Sequence, residues 1–161
     1  MSGSSRHAVL ASTVFDGTAL HHDCAVVIEG PRIRGIVARR ELPAAMPIRT
    51  LPEGAWLAPG FIDVQVNGGG DVLFNDEPTP DGIATIVAAH RQFGTTALVP
   101  TLISDTPAKM RAALDAVRQT APVNPSVLGI HFEGPFLSPA KPGVHDRAMI
   151  RPPDGMSGTA R

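Results

Sequence analysis

The sequence predicts an α/β fold with a parallel sheet over residues 60–132, preceded by a small antiparallel sheet from the first sixty residues. Three observations point there. Three short apolar runs, Phe61–Val66, Thr95–Thr101 and Ser126–Phe132, alternate with two stretches of helical periodicity. Both helical stretches open on Thr-Pro, at Thr79-Pro80 and Thr106-Pro107, an N-cap followed by the proline that suits a first helical turn. The glycines Gly68-Gly69-Gly70 mark a loop at the C-terminal end of the first strand. That edge is where parallel α/β folds carry their sites.

In chain order, Ala8–Val14, Cys24–Glu29, Arg32–Val37 and Ala55–Leu57 read as brief strands. The turn signals Asp16-Gly17, Gly30-Pro31 and Pro52-Glu53-Gly54 separate them. The pattern changes at Pro59-Gly60, which predicts a boundary between residues 1–58 and 59–161. In the first helix Ile83, Ile86, Val87 and His90 share a face, and Gly94 stands at the expected C′ position. In the second, Met110, Ala113, Leu114 and Val117 share a face. Strands separated by amphipathic helices imply right-handed crossovers and parallel pairing. The tail from Pro152 to Arg161 has no periodic signal.

Composition removes several classes of function. The 161 residues carry 14 Lys and Arg against 15 Asp and Glu, so there is no electrostatic footprint for nucleic acid or anionic lipid. The apolar fraction of 43% is too high for a disordered chain of such small net charge. No apolar run approaches the roughly 18 residues of a membrane span. The single cysteine, Cys24, excludes an internal disulfide framework or a cysteine-based zinc ribbon. A cytoplasmic protein is expected.

Three groups have chemical potential. Strand alternation puts Asp63, Gln65 and Asn67 on one face. They suit a polar barrel mouth, or a turn in which Asp63 caps and the amides serve loop backbone. Gly129, His131 and Glu133 share a face of the third strand, and Glu133 stands at its end. A carboxylate there suits a metal ligand or an acid–base group, and equally a cap or a surface ion pair. His131 is the more ordinary hydrogen-bonded core histidine. The loop Lys141-Pro142-Gly143-Val144-His145-Asp146 offers a cation and an imidazole, or is simply solvated. His21-His22 falls in a predicted turn. There is no Walker loop, no G-x-S-x-G elbow and no His-Glu-x-x-His.

The run Leu57-Ala58-Pro59-Gly60-Phe61-Ile62-Asp63, followed by Gln65 and Asn67, resembles the start of the barrel in the amidohydrolase superfamily. Most members carry His-x-His where this chain has Gln65-Val66-Asn67. The Gln-x-Asn variant with Phe74-Asn75-Asp76, Gly94-Thr95-Thr96, Pro100-Thr101, His131-Phe132-Glu133-Gly134-Pro135 and Lys141 to His145 is similar to the N-acetylglucosamine-6-phosphate deacetylases. The likeness runs to about Asp154.

The resemblance implies an α/β fold: the first three strands of an incomplete (β/α)8 metal-dependent hydrolase barrel, preceded by strands of a small β-sandwich. It implies removal of acetate from N-acetylglucosamine 6-phosphate with one divalent metal ion, zinc first, with iron, cobalt or manganese as alternatives. Glu133 is the implied metal ligand, Gln65 and Asn67 remnants of a second metal site, and His145 with Gly143 the substrate contacts. The acid–base Asp is expected beyond Arg161, and full-length members are expected to form homodimers. A barrel takes about 250 residues, and only about a hundred follow Pro59. A truncated chain, inactive alone, is therefore expected. Two alternatives stay open: another amide hydrolase of the superfamily, and a non-catalytic fragment that binds a sugar phosphate.

Overall fold

The computed structural model describes residues 6–153. The reading of the tail beyond 153 lies outside them. The chain divides into two compact units, the first ending at Pro59 and the second beginning at Gly60.

The first unit is a five-stranded sheet. β1 (Arg6–Phe15) pairs antiparallel with β2 (Leu20–Glu29), which pairs antiparallel with β3 (Arg32–Ala38). The sheet is not the small antiparallel one expected from the sequence. β4 (Ile48–Thr50) and β5 (Trp56–Leu57) both pair parallel with β1, so the sheet is mixed. The chain leaves β3 through a short 3-10 turn at Arg39–Glu41 and returns along the other edge of β1. β4 left no signal because its three residues are all exposed and show no apolar period. The buried residues of β1 and β2 fall into two small apolar clusters. One gathers Ala8, Leu10, Ala25 and Val27, and the other Ala11, Val14 and Val26. His21 and His22 lie on β2 rather than in a turn. His21 Nε2 is 2.7 Å from Asp16 Oδ2. The N–H groups of Ala19 and Thr18 and the His21 ring hold the Asp16 carboxyl at a pKa of about 2.

The second unit is a three-stranded parallel sheet in the order β10–β9–β6: β6 (Phe61–Val66), β9 (Thr95–Ile103) and β10 (His131–Glu133). Between β6 and β9, β7 (Gly68–Gly69) and β8 (Val72–Leu73) form a small hairpin. Its two turn residues, Gly70 and Asp71, have φ of 62° and 64°, the left-handed pair of a type I′ hairpin turn. α1 (Pro80–Arg91) and α2 (Pro107–Thr120) join the strands. Each begins as its sequence predicts. Thr79 Oγ1 accepts from Gly82 N–H at 3.0 Å, and Thr106 Oγ1 accepts from Lys109 N–H at 3.2 Å.

The core lies between this sheet and the two helices. Val66, Phe74, Ile83, Ile86, Val87, Leu98, Leu102 and Val117 belong to one buried cluster. On α2 the buried face is Ala113, Ala116, Val117 and Thr120, so Ala116 takes the depth expected of Leu114. Gly94, at φ 94°, sits one residue later than C′, because α1 is capped by Gln92.

The third strand is shorter than Ser126–Phe132. Val127 bridges Leu98, the next pairing joins His131 to Thr101, and three steps on β9 therefore face four on its neighbour. One extra residue is taken up between them, as in a bulge. Val127, Ile130 and Phe132 all pack with the helix-side core. Unbroken alternation would have put Val127 on the side of His131 and Glu133 instead.

Candidate functional site

β6 and β10 flank β9 and run parallel to it, so their C-terminal ends fall on one edge of the sheet. Gln65 lies near the end of β6 and Glu133 ends β10. They are 68 positions apart, yet Gln65 Nε2 donates to Glu133 Oε2 at 3.0 Å. His145 arrives from the loop after β10, and its Nε2 is 3.4 Å from Glu133 Oε1. Both carboxylate oxygens thus face a nitrogen donor, which fixes the plane of the carboxylate. The Glu133 side chain stays 34% exposed while that of His145 is 4% exposed. The imidazole is anchored in protein and presents one edge.

His145 Nδ1 takes the other half of the anchoring. Ser104 Oγ lies 2.9 Å from it and the Ser104 N–H donates to it at 3.2 Å. Ser104 is buried just past the end of β9. The sequence reading missed it. Its signal was positional, a hydroxyl one residue beyond the C-terminal end of a parallel strand, the edge where sites collect.

The remaining residues singled out from the sequence fall differently. Asp63 Oδ1 accepts from Gln65 N–H at 3.1 Å, so it caps the local backbone. The Asn67 carbonyl accepts from Phe74 N–H at 2.8 Å, and its side chain makes no hydrogen bond among the described residues. Gly143 has φ 58° within the turn that His145 N–H closes onto Pro142 O at 3.1 Å. Lys141 is exposed in that loop. His131 Nδ1 is 3.1 Å from Oγ1 of the fully buried Thr101. His90, on the core face of α1, donates Nε2–H to Gly68 O at 2.9 Å and ties the small hairpin to the helix.

Asn75 makes a second junction. Its Nδ2 donates to Ile103 O at 3.2 Å and to Asp105 Oδ2 at 3.0 Å, and its Oδ1 accepts from Ile103 N–H at 3.0 Å. Burial raises the Asp105 pKa. The Thr106 N–H, the Asn75 amide and Lys109 together outweigh that and hold the carboxyl below its ordinary range.

The donor set limits what these residues hold by themselves. Glu133 is one oxygen ligand of a kind that suits zinc and related ions. Among the described residues no three His, Cys, Asp or Glu side chains converge as a metal centre. No helix among them is long and apolar enough to cross a membrane.

The parallel β-α-β-α-β architecture makes the second unit an α/β protein, with a carboxylate, an amide and an imidazole at the C-terminal strand ends, the edge where such folds carry their sites. No family model matches the chain. Relatives do. It is 43% identical over 144 residues to the N-acetylgalactosamine-6-phosphate deacetylase of a Shewanella strain, which covers 88% of this chain and 36% of the relative. It is 31% identical over 147 residues to the N-acetylglucosamine-6-phosphate deacetylase of Haemophilus influenzae, covering 91% and 38%. Among solved structures, N-acetylglucosamine-6-phosphate deacetylase from Pasteurella multocida superposes with a TM-score of 0.87 at 29% identity, over 95% of this chain and 41% of that one. A mutant of the Mycobacterium smegmatis enzyme, in complex with N-acetyl-D-glucosamine-6-phosphate, gives 0.82 at 34% identity, over 96% and 40%. The chain belongs with the N-acetylglucosamine-6-phosphate deacetylases, matching their N-terminal part. It spans between a third and two fifths of the length of the two relatives described.

Proposed function

We propose that this chain is the N-terminal part of an enzyme that hydrolyses the acetamide of N-acetylglucosamine 6-phosphate to glucosamine 6-phosphate and acetate. The observation that carries the reading is the meeting of Gln65, Glu133 and His145 at the C-terminal strand edge, in a chain whose relatives are deacetylases by name. The second unit is read as the first three strands of a (β/α)8 barrel, and the first unit as strands of a β-sandwich. Supporting this, β6 is an edge strand with Phe61, Ile62 and Val64 exposed. An open apolar edge of that kind wants covering by further strands.

In this reading Glu133 contributes one ligand to a divalent ion, zinc first, whose other ligands come from outside the described residues. Such an ion supplies Lewis-acid polarisation and an activated water when bound. Gln65 holds the carboxylate in its plane. Asn67 lines the same edge. His145 and the turn at Gly143 meet the sugar. The acid–base carboxylate comes from elsewhere in the protein, so the 161 residues alone are expected to release no acetate. A homodimer working in the cytoplasm on amino-sugar breakdown completes the proposal.

The test is acetate release by the intact, zinc-loaded protein from N-acetylglucosamine 6-phosphate and from its galactosamine epimer. Turnover of either supports deacetylation, and turnover of neither overturns it. The 43% identical relative, named for the galactosamine substrate, favours a second reading in which the 4-epimer is preferred. The ratio of the two kcat/KM values decides between them.

A further inference from the structure

A backbone N–H can only donate. The Ser104 N–H points at His145 Nδ1 from 3.2 Å, so that nitrogen presents its lone pair there. The Ser104 hydroxyl, at 2.9 Å from the same nitrogen, donates to it as well. With Nδ1 an acceptor, the neutral imidazole carries its proton on Nε2. Nε2 is the nitrogen turned toward Glu133. The tautomer follows from donor chemistry rather than from an observed hydrogen.

Gly134, directly after Glu133, adds a second constraint on the same hydroxyl. Its φ is 90°, and a Cβ built on it would overlap Ser104 Oγ. The hydroxyl therefore occupies the space that a side chain at 134 would need. One group at the end of β9 touches both the strand end that carries the carboxylate and the imidazole.

We propose that Ser104 is a positioning residue: through its N–H and its hydroxyl it fixes Nδ1 of His145 as an acceptor, and so presents Nε2–H beside Glu133 as a hydrogen-bond donor to a substrate oxygen. The proposal rests on the reading above that His145 meets the amino-sugar phosphate. Held this way, His145 offers the site a donor. It has no lone pair on that edge for a metal ion or for taking a proton.

The experiment is long-range nitrogen–proton NMR on the intact protein with 15N-labelled histidine, well above the ordinary imidazole pKa of about 6.5. His145→Gln identifies the His145 signals by their loss. The expected wild-type spectrum shows Nδ1 unprotonated and Nε2 protonated. Ser104→Ala is expected to shift the Nδ1 resonance and to lower kcat about tenfold, the lower end of effects seen for such supporting partners, with a smaller change in KM. Ser104→Thr keeps the hydroxyl and is expected to restore both. A wild-type Nδ1 that carries the proton overturns the proposal. So does a Ser104→Ala variant with unchanged spectrum and unchanged kcat. If the spectrum is as expected but His145→Gln leaves kcat and KM unchanged, the substrate reading of His145 falls, and the positioning role falls with it. Should Ser104→Ala not fold, the wild-type spectrum still decides the proton's place.

Discussion

The Asn75 junction and the Glu133 group sit at the same edge of one parallel sheet and use the same kinds of side chain, yet they are built to opposite ends. Every arm of Asn75 that the junction uses is matched within the protein, by Ile103 O, Ile103 N–H and Asp105. Asp105 in turn accepts from Thr106 N–H at 2.7 Å and lies 3.3 Å from Lys109 Nζ, with its side chain 18% exposed. Glu133 has looser partners and nearly twice that exposure, and Gln65 beside it is exposed. A carboxylate matched on all sides ties a loop to a strand. One held in plane but open on one side retains capacity for a ligand. Saturation and exposure, rather than residue type, separate a clamp from a site.

The largest test of that contrast is Glu133→Gln in the intact protein. Acetate release is expected to fall by at least about a hundredfold, the upper range for partners one step further from a metal. The melting temperature should hardly move, because an amide can keep one bond to Gln65. A variant that unfolds instead would make Glu133 a clamp like Asp105. The converse change, Asn75→Ala, leaves the N–H and C=O of Ile103 without a protein partner. Denaturant titration should show a loss of about 2 kcal/mol, while kcat of the folded protein is kept. A fall in kcat without a fall in stability would erase the distinction.

Smaller effects sharpen it. Thr106→Ala removes the α2 cap next to the junction and is expected to cost about 1 kcal/mol with no kinetic change. The least is a pH effect. The Asp105 pKa is lower folded than unfolded, so its contribution to stability is present above the unfolded value of about 3.9 and is lost as pH falls below that. Acid titration of stability should therefore be flatter below about pH 4 in Asp105→Asn than in the wild type.

The βαβ order, both Thr-Pro helix starts and the apolar face of α1 were legible because each is a local property of a few neighbouring residues, whereas on α2 Ala116 is buried in place of Leu114. β4 was not, because a three-residue exposed strand has no pattern of its own. The parallel pairing of β4 and β5 with β1 was not, because partner choice is decided by a crossover and not by composition. Glu133 and Gln65 each stood out by their place on a strand. Their contact across 68 positions is a product of strand order, which spacing does not encode. Ser104 was passed over because a serine between a strand and a helix cap looks like ordinary loop, and only the fold brings it to an imidazole 41 positions away.

The extra residue between Val127 and His131 has a consequence for how this stretch tolerates change. It works as a phase shift. Upstream of it the odd-numbered position faces the helices, and downstream the even-numbered ones do. Chain length between two anchored pairings is therefore as much a part of the site's specification as the identity of the carboxylate. A comparison of relatives that scores only matching letters would overlook it, because a gap there can preserve the chemistry and a perfect match of length without the bulge would turn Glu133 inward.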